Sequence, residues 1–276
     1  MIEDIRAYIE NHREEMIATL KKLIETPSPD GGETLAQEVV KEKLEVLGFE
    51  TETFRIDERV KECTDYCDPD IAYHPGAYNL YAIKKTNDSK RSLLLFGHID
   101  TESEDHFGKG LEPYKALKED GRIYGLGAAD DKGGIAMILE AIKTALALDR
   151  DLPYDLKVLS LLGKHGGAFG TLSAMAKGYK ADDYLYVHPA ETGHGFEEIK
   201  NISLGVLDLK LTILGEKGIA HDDLSVGINA NVLMGKAINI LDEWNQNKRK
   251  ENVFDFGSTK TRSATSKRHS LLSITS

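Results

Sequence analysis

Cysteine is scarce: the 276-residue chain has two, Cys63 and Cys67. With no second Cys or His pair beside them to complete a metal site, they read as two ordinary thiols. Long apolar runs are missing as well, none approaching the roughly 20 residues a membrane-spanning helix needs. The N-terminus opens Met1, Ile2, Glu3, Asp4, without the basic start and apolar stretch of a secretory signal, so the expected location is cytoplasmic, with no membrane partner. Positive charge is in deficit, 35 Lys plus Arg against 46 Asp plus Glu for a formal net charge of −11. That balance argues against nucleic acid as the main partner. What is present is an ordinary globular composition, 41% hydrophobic and 29% charged, in a chain long enough to bury a sizeable core.

Periodicity organises the first 200 residues. Ile5, Ile9, Met16, Leu20, Leu23 and Ile24 recur at helical spacing, and Leu35, Val39, Leu44 and Leu47 do so again before Gly48. They predict two amphipathic helices separated by the turn that starts at Thr26 and Pro27. Two β-rich stretches follow, around Phe49–Ile56 and Tyr78–Ile83. Continuous apolar runs at Leu93–Phe96, Val158–Leu162 and Tyr184–Val187 suit strands buried on both faces. Helical patterns at Lys132–Asp149 and Phe169–Lys177 lie between them. Strands alternating with helices predict an α/β fold, a mainly parallel central sheet with helices on both faces.

Beyond Glu198 the pattern changes. Leu207, Leu209, Leu211 and Ile213 alternate with polar residues, as in a strand with one wet face. A helix is expected from Asn229 to Trp244, with Val232, Leu233, Ile240, Leu241 and Trp244 on one side. The reading is a domain over 1–198, the start of a smaller α+β domain over 199–256, and an irregular tail over 257–276, basic and rich in Ser and Thr.

Candidate ligands follow each apolar run at once: His98 and Asp100 after the first, His165 after the second, His188 after the third. In open α/β sheets ligands gather at the carboxyl ends of the strands, so these groups should converge on one edge. Asp130, in a Gly-rich loop before the Lys132 helix, should reach the same edge. Three imidazoles and a carboxylate make a metal site that suits zinc, and also cobalt or manganese; a carboxylate can bridge two ions. Asp100, two residues after His98, is placed to orient its ring. Gly125-x-Gly127 lacks the third glycine and the preceding strand of a dinucleotide fingerprint, which sets that reading aside.

The segments Gly97-His98-Ile99-Asp100-Thr101 and Gly125-Leu126-Gly127-Ala128-Ala129-Asp130-Asp131-Lys132-Gly133-Gly134 resemble the zinc-dependent amidohydrolase and peptidase superfamily of acetylornithine deacetylase, succinyl-diaminopimelate desuccinylase, aminoacylase and carnosinase. The resemblance runs over about residues 1 to 245. It implies a catalytic domain over 1–198, whose C-terminal part would be absent, and the beginning of a lid and dimerisation domain over 199–256. It implies that His98 binds metal, that Asp100 orients the site and that Asp130 bridges two ions. The family's Glu-Glu-x-Gly-x-x-Gly-Thr motif falls on Lys164 to Thr171. Lys164 then stands where the first Glu would act as general base, and His165 where the second would bind metal. An ammonium group is no proton acceptor. The next metal-binding acid of the family falls on His188, with Glu191 as the fallback, and Gly218-Ile219-Ala220-His221 resembles the lid motif whose His holds the developing oxyanion.

The implied activity is metal-dependent cleavage of an amide bond in an N-acyl amino acid or small peptide, with one or two Zn2+ ions and a homodimer formed through the second domain. The alternative is an impaired or truncated relative that keeps metal or ligand binding without turnover.

Overall fold

The computed structural model describes residues 2–29, 31–63, 76–86, 89–108, 110–148, 152–164, 167–188, 211–218, 227–251, 253–255 and 260–262. The chain divides into two compact units, Met1–Ile199 and Lys200–Ser276.

The first unit begins with α1 (Ile2–Asn11), α2 (Arg13–Ile24) and α3 (Thr34–Val46). The first expected helix is thus two, parted at His12, whose Nδ1 lies 2.8 Å from the Tyr8 carbonyl oxygen and whose ring stacks on Tyr8 at 3.9 Å. Then come β1 (Glu50–Phe54), β2 (Asn79–Lys84), β3 (Arg91–His98), the short pair β4 (Leu117–Glu119) and β5 (Arg122–Tyr124), α4 (Lys132–Ala147), β6 (Tyr154–Leu161), α5 (Phe169–Lys177) and β7 (Asp183–Tyr186).

Five strands form one sheet in the order β1-β2-β6-β3-β7. β3 runs parallel to both β6 and β7, while β1 and β2 add an antiparallel half. The parallel part is the one foreseen from the alternation of strands and helices. Strand alternation divides the apolar residues between two faces. On one, Leu80, Ala82, Leu95, Leu156 and Val158 pack against Leu23 of α2, Ala36, Val40 and Leu44 of α3, and Ile135, Ile138, Leu139 and Ile142 of α4. On the other, Leu94, Leu159 and Leu161 pack with Phe54 and with Ala174 of α5. Helices therefore cover both faces.

One expectation fails. The run at Tyr184–Val187 predicts a strand buried on both faces, yet Tyr184, Leu185 and Tyr186 are 55%, 46% and 42% exposed. β7 is the last strand of the sheet among the described residues, and an apolar run carries no signal of which side has a neighbour. Cys63 is a free, exposed thiol; Cys67 lies outside the described residues.

In the second unit, α6 (Ala230–Glu251) covers all but the first residue of the helix expected over 229–244. Its apolar stripe is open: Val232, Ile240, Leu241 and Trp244 are each half exposed or more. Of the strand expected over 207–213, residues 207–210 lie outside the described residues, and 211–213 make no strand; Glu216 and Ile228 form an isolated antiparallel bridge. β8 (Val253–Asp255) and β9 (Lys260–Arg262) pair antiparallel. Among the described residues, no helix is long and apolar enough to cross a membrane.

Candidate metal centre

The carboxyl ends of the parallel strands supply the site. β3 ends on His98, β7 ends two residues before His188, and β6 ends three residues before Lys164. The loop that begins α4 brings Asp130. The Nε2 atoms of His98 and His188 lie 2.7 and 2.9 Å from the same Asp130 Oδ1. The potential ligand atoms of these three residues all fall within 4.8 Å of one another. Nitrogen and carboxylate donors so grouped fit a transition ion such as zinc, and three protein ligands leave a coordination position for water or substrate, as catalytic sites do.

Backbone packing fixes this convergence. The Thr26–Ser28 turn is fastened to the end of β3: Ser28 Oγ donates to the Ile99 carbonyl at 2.7 Å, and Thr101 N–H donates to the Ser28 carbonyl at 2.9 Å. Lys132, fully buried, ties the same turn to α4 by donating to the Leu23 and Thr26 carbonyls, each at 2.8 Å. Gly97 allows the loop to close on the strand, since a Cβ there would stand 2.6 Å from Asp131 Oδ2. Gly134 is required on α4 for the same reason, because a Cβ would collide with the Val187 carbonyl oxygen.

His98 is held at both ring nitrogens. Nδ1 lies 3.1 Å from the Asp100 carbonyl oxygen and 3.4 Å from its Oδ1, while Nε2 faces Asp130. Burial favours the neutral ring, but hydrogen bonds to Asp100 and Asp130 and the charges of Asp100 and Asp131 outweigh it and raise the imidazole to about 9. With an acceptor at each nitrogen the ring carries both protons. At Asp130, burial works to raise the carboxyl. Hydrogen bonds from His188 and His98 and the charges of Lys164 and His98 overcome it and hold the group well below the ordinary carboxylate range. His188 is braced by ring contacts with Tyr186 at 5.0 Å and His98 at 5.8 Å.

The structure thus brings together His98, Asp100, Asp130, His188 and Lys164. The last is an ion pair: Lys164 Nζ lies 3.2 Å from Asp130 Oδ1 and 3.1 Å from Oδ2. His165, His221 and the fallback Glu191 lie outside the described residues. Sequence reasoning passed over Asp131 and Lys132. Asp131 is fully buried, accepts from the His98 backbone N–H at 3.2 Å and has its carboxyl pushed by burial to about 7. Burial likewise lowers the Lys132 ammonium to about 7. Their signal was in plain view, two charged residues directly after Asp130 and before a pair of glycines.

The family profile described as Peptidase family M20/M25/M40 matches residues 94–261, which include His98, Asp100, Asp130, Lys164 and His188. The N-formyl-4-amino-5-aminomethyl-2-methylpyrimidine deformylase of Halalkalibacterium halodurans is 33% identical over 188 residues, 66% of this chain and 40% of the relative. The Beta-Ala-His dipeptidase of Rattus norvegicus is 28% identical over 167 residues, 57% of this chain and 32% of the relative. The chain therefore spans less than half the length of either. Among solved structures, the M20 family metallo-carboxypeptidase Sso-CP2 of Sulfolobus solfataricus matches 63% of this chain and 37% of its own, with a TM-score of 0.52 at 25% identity.

Proposed function

Because the chain belongs to Peptidase family M20/M25/M40, we propose that its site serves metal-dependent hydrolysis of an amide bond in a small N-acyl amino acid or peptide. The observation that carries this reading is the meeting of two imidazoles from neighbouring parallel strands on one Asp130 oxygen. The substrate class is supported by relatives named as a deformylase and a dipeptidase.

His98, Asp130 and His188 would hold the ion, which we assign as Zn2+, with Co2+ or Mn2+ also suited to the donors. When bound, it would supply Lewis-acid polarisation of the amide carbonyl and a water acidified toward neutral pH. To act as a ligand, His98 releases the proton on Nε2 and keeps the one on Nδ1, where the Asp100 carbonyl oxygen holds the ring in that tautomer. Asp131 fixes the His98 backbone from beneath. The Asp130 side chain is 44% exposed, so a small substrate has access to its open side. His165 is assigned as a further ligand and His221 as the group that holds the developing oxyanion. The same proposal takes residues 1–198 as the catalytic domain, 199–256 as the start of a lid through which two copies associate, and the cytoplasm as the location.

A second reading is favoured by one observation. Lys164, at the place of the general base, is ion-paired to Asp130, and a paired ammonium takes no proton from water. On this reading the chain binds metal without turnover.

The test is a panel of N-formyl, N-acetyl and N-succinyl amino acids and dipeptides, offered to the metal-stripped chain and to the chain supplied with Zn2+. Zn2+-dependent turnover that falls by at least about 100-fold in His98→Ala and Asp130→Ala supports the hydrolase. Turnover indifferent to both substitutions contradicts it. A silent wild type that gains activity as Lys164→Glu establishes the second reading.

A further inference from the structure

Asp130 has two carboxylate oxygens, and they are not treated alike. Oδ1 receives His98 and His188 at 2.7 and 2.9 Å. The Lys164 ammonium lies across both oxygens, 3.2 Å from Oδ1 and 3.1 Å from Oδ2. A carboxylate that bridges two metal ions offers an oxygen to each. Here Oδ2 faces a cation supplied by the chain itself.

We propose that Lys164 is a built-in cation at Asp130 that confines this site to a single metal ion, centred on His98, Asp130 and His188. The inference rests on reading those three residues as a metal centre and adds its stoichiometry. Three features of the arrangement support it. The ammonium is a compact point charge, so it occupies the carboxylate as a small cation would. It follows β6 directly, three residues beyond the strand end, so a strand of the core sets where its backbone stands. Its side chain is one-third exposed, which leaves it partly desolvated and strengthens its repulsion of any second divalent ion brought to Oδ2. It also lowers the negative charge available to the first ion, so it tunes the affinity of the ion the site does accept. Lys164 is in this sense a positioning and charge-setting residue and not a ligand.

The experiment is calorimetric titration of the full, metal-stripped chain with Zn2+, checked by elemental analysis and by the visible absorption of the Co2+ form. Wild type is expected to take up one ion. Lys164→Arg, which keeps the charge, is expected to leave stoichiometry and affinity unchanged. Lys164→Gln is expected to bind the ion about 10- to 100-fold more tightly, the scale at which groups behind a ligand tune metal sites. Lys164→Glu is expected to admit a second ion. Thermal melting of each variant reports that it is folded, and loss of a merely structural contact would not raise the affinity. Two ions on the wild-type chain, or a Lys164→Gln variant identical to wild type, overturns the inference and leaves the metal centre standing. Absence of specific binding by wild type and by all three variants overturns both.

Discussion

Strands β3 and β7 lie side by side, run in the same direction and each deliver a histidine to Asp130, yet their surroundings are opposite. β3 is enclosed between β6 and β7 with apolar side chains packed on both faces, and its His98 is 2% exposed. β7 turns Tyr184, Leu185 and Tyr186 to solvent. One half of the candidate metal centre is therefore set by the core, and the other follows a strand whose side chains are about half exposed. In the proposed reading, β3 would fix the buried His98, and the half-exposed Asp130 side chain would leave the site accessible.

The largest effect should come from breaking the enclosed half. His98→Ala is expected to weaken Zn2+ binding by more than about 100-fold, and His188→Ala by about 10-fold, both read by calorimetry. Equal losses would mean that the two strands contribute alike. Next in size is packing. Leu94→Ala, on the buried side of β3, should cost about 2–5 kcal/mol of stability, as large-to-small changes in a core do. The same change at Leu185, paired in register with Leu95, should cost less than about 1 kcal/mol in the same denaturant titration.

A smaller effect concerns the lysine under the site. The buried Lys132 ammonium is lowered from its ordinary 10.5 to about 7. Between those values the unfolded chain binds more protons than the folded one, so stability should rise with pH from 7 toward 10.5, with a slope of at most about 1.4 kcal/mol per pH unit. Lys132→Met, measured by denaturation across that range, should flatten this component. The smallest change in folding free energy is expected from Leu185→Lys, within about 0.5 kcal/mol. Its effect should appear in sedimentation instead, as less self-association, because charge on an exposed strand opposes edge pairing.

Much of this contrast was legible in the residues, but unevenly. β3, α4, β6 and α5 were read from apolar runs and helical spacing because each packs on the core, where burial enforces the period. The convergence of His98, Asp130 and His188 followed from the placement of polar groups at strand ends. The exposure of β7 was hidden, because Leu185 between two tyrosines reads the same with a neighbour on one side or on two. The β4–β5 pair was missed although its turn, Asp120-Gly121, is a known hairpin signal; both residues take positive φ, 49° and 73°. With three residues in each strand, the pair shows no period to read. Asp131 and Lys132 escaped attention because burial, which shifts both groups, is a property of the packed loop and not of any spacing. The ion pair from Lys164 to Asp130 is likewise tertiary: 34 residues separate the two in the chain, and only the arrangement of β6 beside β3 brings them together.

The central claim is that the two strands hold one metal centre between them, and equilibrium titration of the metal-stripped chain with Zn2+ tests it most directly. The account predicts one tightly bound ion that is lost in His98→Ala and in Asp130→Ala. Zn2+ uptake that neither substitution changes, or none at all by the wild-type chain, would contradict it.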